Sequence, residues 1–75
     1  MIELSFHREL YDGEAIDEAE KAYASFATLE HAAEEHRFIV RVTAPSPERE
    51  QRVARELANY ALGLTIERRS GARPT

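Results

Sequence analysis

The chain begins with a strict alternation of apolar and polar side chains over residues 2–7. A period of two is the pattern of a half-buried strand, because successive side chains point to opposite faces of a sheet. One face of this strand is therefore predicted to pack on the core, with Ile2, Leu4 and Phe6. The other face is polar, with Glu3, Ser5 and His7.

A helical period follows the turn signal Asp12-Gly13. Asp12 is suited to cap a helix N-terminus, and the acids of the next turns complement the helix dipole. Apolar residues then recur at steps of three and four, which places them on one stripe of a helix. The members of this stripe are Ala15, Ile16, Ala19, Ala22, Tyr23 and Phe26.

Residues 27–36 are compatible with two structures. Good helix formers at residues 32–35 allow the first helix to run to His36, whereas alternation through residues 26–31 favours a strand. The segment that follows, residues 37–43, is rich in β-branched side chains and is the clearest strand of the chain. We favour a hairpin with a strand over residues 27–32 and a loop from Ala33 to His36, a common loop length.

Proline and serine residues end this strand and begin a second helix. Ser46 is suited to cap that helix, with Pro47 at its first position. Gly63 is the expected C-cap, although residues 64–66 are also compatible with more helix or with a short strand, and residues 68–75 resemble a frayed tail. The predicted buried stripe consists of Val53, Ala54, Leu57, Ala58, Ala61 and Leu62.

These elements predict a single α+β domain over residues 1–69, followed by a flexible C-terminal tail over residues 70–75. The element order is β-α-β-β-α, or β-α-β-α if the first helix is long, with two helices on one face of a small, mostly antiparallel sheet. A three-stranded sheet leaves at least one edge unpaired, which favours the addition of a peptide strand or a second copy. The opposite, polar face is predicted to contain Glu3, Ser5, His7, Arg37, Arg41 and Thr43.

Composition limits how such a domain is stabilised. With 75 residues and no cysteine, the chain has a small core and forms neither disulfides nor thiolate metal sites, so association with a partner or with itself is expected. No apolar segment approaches the roughly 20 residues that a membrane span needs. The first residues also lack the basic and apolar regions of a signal peptide, so we expect a cytoplasmic protein.

Charge is distributed unevenly along the chain. Residues 1–36 hold ten acids against Arg8 and Lys21, a balance of −8, and residues 37–75 hold eight arginines against four acids, a balance of +4. The total of −4 argues against nucleic acid as a partner. We favour neutralisation between the halves within one fold over steering toward a partner or head-to-tail self-association.

No arrangement of residues indicates catalysis, a cofactor or a metal centre. The acids of the first helix lack the burial that tunes catalytic carboxyl groups, and the serines lie in no nucleophile motif. His31 and His36 are predicted to flank the hairpin turn beside Glu30, Glu34 and Glu35, but their spacing matches no zinc signature. A solvated, charged turn is the favoured interpretation, and the chain is predicted not to be an enzyme.

The aromatic residues allow two interpretations. Tyr11, Tyr23 and Tyr60 fit packing at the edge of the core with the hydroxyl group in water. The alternative is an aromatic contact surface, since tyrosine is enriched at protein interfaces.

Over residues 3–69 the chain resembles the small D component of His-Xaa-Ser systems. The resemblance rests on an opening strand, the segment LYDGEAIDEAEKAYASF, a pair of strands ending in FIVRVTAP, and the helix ELANYALGLTIER. Where the family often has an acidic residue and then Leu-Arg after the asparagine, this chain has Tyr60 and then Ala61-Leu62-Gly63. The matching residues are Tyr11, Glu14, Ala15, Ile16, Ala22, Tyr23 and Phe26, and, in part, Leu57, Asn59, Tyr60 and Leu62.

The resemblance implies a small, non-catalytic companion of radical S-adenosylmethionine enzymes that modify a ribosomally made peptide. The expected function is an adaptor that binds the maturase or the precursor peptide through an exposed strand edge and the adjacent helix. The alternative is a homo-oligomeric, ferredoxin-like or ACT-like module with a structural or small-ligand-binding role, its strands pairing across a two-fold axis. The candidate partner-binding residues are Tyr11, Asp12, Glu14, Asn59 and Tyr60.

Overall fold

The computed structural model describes residues 1–70 and confirms the predicted element order β-α-β-β-α. Of the tail predicted over residues 70–75, residue 70 ends the last helix and residues 71–75 lie outside the described part of the chain. The elements are β1 (Ile2–His7), α1 (Gly13–Tyr23), β2 (Thr28–Ala33), β3 (Arg37–Thr43) and α2 (Pro47–Ser70).

The three strands form an antiparallel sheet in the order β1-β3-β2, so β3 is central and β1 and β2 are both edges. The hairpin prediction is confirmed, since α1 ends at Tyr23 and β2 pairs with β3. Ala33 belongs to β2 rather than to the loop, because it lies opposite Phe38 in the register. The loop is closed by the amide of Glu34, which donates to the Arg37 carbonyl oxygen at 2.8 Å.

The core lies between the helices and one face of the sheet. Ile2, Leu4 and Phe6 of β1 lie opposite Val42, Val40 and Phe38 of β3, which places the predicted apolar sides of both strands on this face. Burial of such side chains is the main favourable contribution to folding, at about 25 cal/mol per Å². The buried cluster consists of Phe6, Ile16, Ala19, Val40, Val42, Val53, Ala54, Leu57 and Ala61.

The opposite face of the sheet is open and polar, as predicted, except at its centre. Arg41 Nε lies 3.1 Å from Glu3 Oε1, and Arg37 Nε lies 2.7 Å from Glu34 Oε1. Between these two arginines, Ile39 lies opposite Ser5 on β1 and Ala32 on β2, and its side chain is 1% exposed. The long side chains of the arginines therefore shield an isolated apolar residue.

Both predicted N-caps are confirmed. The Asp12 carboxylate accepts a hydrogen bond from the Glu14 amide at 3.0 Å, and the Ser46 hydroxyl accepts one from the Arg49 amide at 3.2 Å. Pro47 occupies the first position of α2, where the missing N–H leaves no helical bond unmade.

The predicted helix end at Gly63 is wrong, and the alternative that residues 64–66 continue the helix is confirmed. The frayed tail predicted from Arg68 is wrong for residues 68–70, which belong to α2. α2 continues to Ser70, and no described glycine has a positive φ of the kind that a C-cap glycine adopts. The helix continues because Thr65 is buried at 1% exposure and because Arg68 and Arg69 bond to the residues that precede and begin α1.

Three apolar residues of the predicted stripes are exposed, namely Ala22, Phe26 and Leu62. Phe26 lies beyond the end of α1 and is 52% exposed, because the chain leaves the helix after Tyr23 to enter the hairpin. Leu62 is 42% exposed, since the buried face of α2 passes through Leu57, Ala61 and Thr65. Neither helix in residues 1–70 is long and apolar enough to cross a lipid bilayer.

Candidate functional site

The five candidate partner-binding residues fall into two separate groups. Tyr11, Asp12 and Glu14 lie at the start of α1, whereas Asn59 and Tyr60 lie in the middle of α2. The first group contacts the C-terminal turns of α2, and Tyr60 contacts the C-terminal end of α1. The two helices are therefore antiparallel neighbours, and the candidate residues do not form one surface.

The group at the start of α1 is engaged within the chain. Arg68 donates hydrogen bonds to Asp12 Oδ2 at 2.7 Å and to Glu14 Oε1 at 2.6 Å, and the Asp12 amide donates to Thr65 Oγ1 at 3.2 Å. The Tyr11 ring packs edge-on against Phe6 with 4.9 Å between centroids. These contacts hold the start of α1 against α2 and against β1, so this group has a structural role.

The contact between Asp12 and Arg68 favours the charged forms of both side chains. The hydrogen bond from Arg68, together with that from the Glu14 amide, lowers the pKa of Asp12 below its usual value. The same pairing with Asp12, and the charge of Glu14, raise the pKa of Arg68. Arg68 and Thr65 were not among the predicted site residues, because only the antiparallel packing of the helices brings residues so distant in sequence together.

Tyr60 of the second group belongs to an aromatic surface, which we define as Tyr23, Phe26 and Tyr60, whereas Asn59 is an exposed residue of α2 outside that surface. The Tyr60 ring stands edge-on to Tyr23 with 5.9 Å between centroids, and Phe26 tilts against Tyr23 at 6.2 Å. Tyr23 is half-buried, whereas Phe26 and Tyr60 are 52% and 43% exposed. Two large aromatic side chains thus remain in contact with solvent around a third that anchors them.

Arginines line the aromatic surface on the side of α2. A groove of about 350 Å³ between Tyr23 and Phe26 is also lined by Arg49 and Arg52. Their guanidinium groups form no ion pair or hydrogen bond with another residue in the described range 1–70. Burial, with smaller contributions from the nearby Glu56 and from Tyr60, raises the pKa of Tyr23, so its phenol is neutral at physiological pH.

The edge of β2 adjoins the aromatic surface through the loop that contains Phe26. A shallow groove of about 440 Å³ lies between the end of α1 and the first residues of β2. It is lined by four small or apolar residues and two charged ones, namely Ala24, Ala27, Thr28 and Leu29, with Glu20 and Lys21. An open strand edge, a groove and an aromatic surface therefore lie side by side.

The predicted cluster around the hairpin turn does not assemble. His36 lies 3.5 Å from Glu35 with both side chains about four-fifths exposed, at 80% and 82%. His31 instead points to the helix side of the sheet, where its Nδ1 lies 2.5 Å from Glu20 Oε2. With Asp17 nearby, these are the one group of three potential metal-ligating side chains in residues 1–70, with ligand atoms within 4.8 Å of one another.

The sequence alone does not indicate that Asp17, Glu20 and His31 lie together, because strand register decides which face His31 occupies. A hydrogen bond or ion pair between His31 and Glu20 explains why these two side chains lie together. Within the described residues, no buried side-chain polar atom lacks a hydrogen-bond partner, so none is oriented toward an unfilled ligand position.

Comparisons of the chain with protein-family models, with curated proteins and with solved structures find no match.

Proposed function

We propose that this protein is a non-catalytic adaptor of a ribosomal-peptide maturation system in the cytoplasm. In this proposal, it binds a radical S-adenosylmethionine maturase, or the precursor peptide of that enzyme, at the aromatic surface and the adjoining edge of β2. The support for this system is the resemblance to the small D component of His-Xaa-Ser systems. The support for the surface is physical and comes from the described residues.

The observation that supports docking most strongly is the exposure of Phe26 and Tyr60 around Tyr23, beside Arg49 and Arg52. Tyrosine and arginine contribute disproportionately to protein–protein binding energy, because a large, rigid or planar group loses little conformational entropy on binding. Tyr23 fixes both exposed rings by direct contact, so the surface is ordered before a partner arrives.

The edge of β2 adds main-chain recognition to this surface. An extended segment that pairs with β2 places alternate side chains over the groove beside Leu29, and main-chain hydrogen bonds supply affinity. A precursor peptide or an exposed loop of the maturase has the extended form that such pairing needs.

Titration calorimetry with the purified maturase and precursor peptide encoded by the neighbouring genes tests the proposal. We expect micromolar or tighter binding to one of them, and a loss of about tenfold or more for a Phe26→Ala, Tyr60→Ala double variant, since such anchors are often worth over 1 kcal/mol each. The matched control is Leu10→Ala, an apolar side chain with 62% exposure outside the aromatic surface.

Two outcomes contradict different parts of the proposal. If neither gene product binds the wild-type protein, the adaptor function is wrong. If one binds and the double variant retains full affinity, the function stands and the assignment of the aromatic surface is wrong.

A further inference from the structure

β1 is an edge strand whose outward backbone groups can be identified from the register. The Arg8 amide donates to the His36 carbonyl oxygen at 2.9 Å, one position beyond the last pair of β1 and β3. Backbone groups alternate in direction along an antiparallel strand, so Ile2, Leu4 and Phe6 bond to β3. The amide and carbonyl groups of Glu3, Ser5 and His7 therefore point away from the sheet.

The β2–β3 pair gives an independent check of this assignment. The Glu34 amide donates to the Arg37 carbonyl, so the odd-numbered residues of β3 bond to β2 and its even-numbered residues bond to β1. The bonding of the His7 carbonyl supports the same assignment. It accepts hydrogen bonds from the Leu10 and Tyr11 amides, at 3.0 and 2.9 Å, rather than from β3.

The outward edge of β1 lacks three of the features that protect edge strands, namely proline, lysine and a bulge. Residues 2–7 contain neither proline nor lysine, and the register with β3 runs through them without a bulge. Five outward backbone groups have no hydrogen-bond partner among residues 1–70. They are the amides of Glu3, Ser5 and His7 and the carbonyls of Glu3 and Ser5.

An exposed apolar flank of α2 accompanies this edge. α2 runs alongside β1 in the same direction. At one end the Met1 amino group lies 2.8 Å from Glu50 Oε1, and at the other Arg69 donates to the Glu9 carbonyl oxygen at 2.9 Å. Tyr60 faces α1, and Leu62 lies roughly 200° further around the helix, on the flank away from α1. Leu62 is 42% exposed.

We propose that the occupant of this edge is a second copy of the chain, paired antiparallel to β1 across a two-fold axis at Ser5. Residues that face one another in this arrangement are Ser5 with Ser5 and Glu3 with His7, and these are the residues with outward backbone groups. Four main-chain hydrogen bonds form: two between the Ser5 residues, and two from the His7 amides to the Glu3 carbonyls. The two sheets become one sheet of six strands.

Complementary side chains support self-pairing. Glu3, whose carboxylate also pairs with Arg41 of its own chain, lies directly opposite His7, whose Nδ1 accepts from the Glu9 amide and leaves Nε2 to donate. The two-fold axis repeats this acceptor–donor pair. Asn59 lies at about the same level along β1 as Ser5, because α2 spans the length of β1 from Glu50 to Arg69. The α2 helices then lie antiparallel on the same side of the joined sheet, and Leu62 of each copy faces the interface.

The pairing is separate from the proposed adaptor function, because the aromatic surface lies on the flank of α2 that faces α1. Its test is the molar mass of the purified protein, measured by analytical ultracentrifugation from low to high micromolar concentration. We expect a monomer–dimer equilibrium, and a monomer at every concentration overturns the proposal.

Variants at Ser5 and His7 identify the surface. Ser5→Pro removes an outward amide that makes no bond within the sheet, and we expect it to abolish the dimer, whereas Ser5→Ala should retain it. His7→Glu places like charges opposite Glu3, so the dimer should dissociate about tenfold more readily, whereas His7→Lys should retain or tighten it.

Circular dichroism of each variant shows whether its monomer is folded, and the His7 pair decides the outcome if Ser5→Pro fails to fold. Equal dimerisation of His7→Glu and His7→Lys overturns the proposed register and the proposal with it. Dimerisation of a folded Ser5→Pro variant does the same.

Discussion

Asp12 performs two tasks that substitution can separate. Its carboxylate caps α1 through the Glu14 amide and also pairs with Arg68, and both contacts lower its pKa. Asparagine retains the capping oxygen without the charge, whereas alanine removes both, and loss of a cap costs about 1 kcal/mol. At neutral pH we therefore expect the stability order wild type, Asp12→Asn, Asp12→Ala.

The advantage of wild type over Asp12→Asn should depend on pH with a definite sign. A carboxyl group whose pKa is lowered on folding stabilises the protein above its unfolded pKa of about 3.9, and that stability is lost as the pH falls through the folded pKa. Urea unfolding of wild type and Asp12→Asn, at neutral pH and at a pH well below the unfolded pKa of Asp12, measures the difference in their free energies of unfolding. A difference that stays constant with pH contradicts the charge pairing.

Residue-scale features that depend on nearby sequence were predictable, and those that depend on packing were not. The caps at Asp12 and Ser46 involve amides two or three residues away, so sequence alone indicates them. Thr65 is polar by type, but it accepts a hydrogen bond from a residue 53 positions earlier and is buried. No local pattern distinguishes such a threonine from an exposed one.

At the scale of elements, α2 continues through a glycine that does not need to be a glycine. Gly63 has no positive φ, and a Cβ added there meets nothing within 4 Å. Glycine within a helix is less favourable than alanine by about 0.5–1 kcal/mol. Gly63→Ala should therefore stabilise the protein by about that amount in urea unfolding. A destabilised variant would show that the helix does not continue through residue 63.

The element boundaries show why the predicted end of α2 failed while the hairpin succeeded. Gly63 has the local signature of a helix end, but Arg68 and Arg69 gain hydrogen bonds to Asp12, Glu14 and the Glu9 carbonyl only if the helix continues. In the hairpin, local alternation and pairing with β3 favour the same structure. The position of His31 on the helix side of β2 followed from register, which the sequence left open.

At the scale of the whole molecule, ion pairs connect the acidic and basic halves of the chain. Glu3 pairs with Arg41, Glu34 with Arg37, and Asp12 and Glu14 with Arg68. This agrees with neutralisation inside the fold, as the sequence analysis favoured. Within residues 1–70 this neutralisation is incomplete, because the guanidinium groups of Arg49 and Arg52, beside the aromatic surface, have no partner there.

Arg68 is the centre of the largest of these pairings, with three carboxylates within 4.0 Å. Without Arg68, those carboxylates repel one another. Molar salt screens both the attraction to Arg68 and this repulsion, because the Debye length at molar ionic strength is about 3 Å. The stability difference between wild type and Arg68→Ala should therefore shrink from low to molar salt. The control is Arg55→Ala, since Arg55 is exposed and pairs with no described side chain, and its smaller effect should not change with salt.

A chain of 75 residues buries a smaller share of its surface than a large domain, so association has a large effect on its stability. If β1 pairs with a second copy, the folded dimer is favoured by mass action, and the unfolding temperature rises with protein concentration. Calorimetric scans of the wild-type protein over roughly a hundredfold range of protein concentration should show this rise. Ser5→Pro should unfold at one temperature throughout, because its free edge lacks the amide that the pairing uses. A wild-type unfolding temperature that is independent of concentration would mean that β1 stays unpaired in solution.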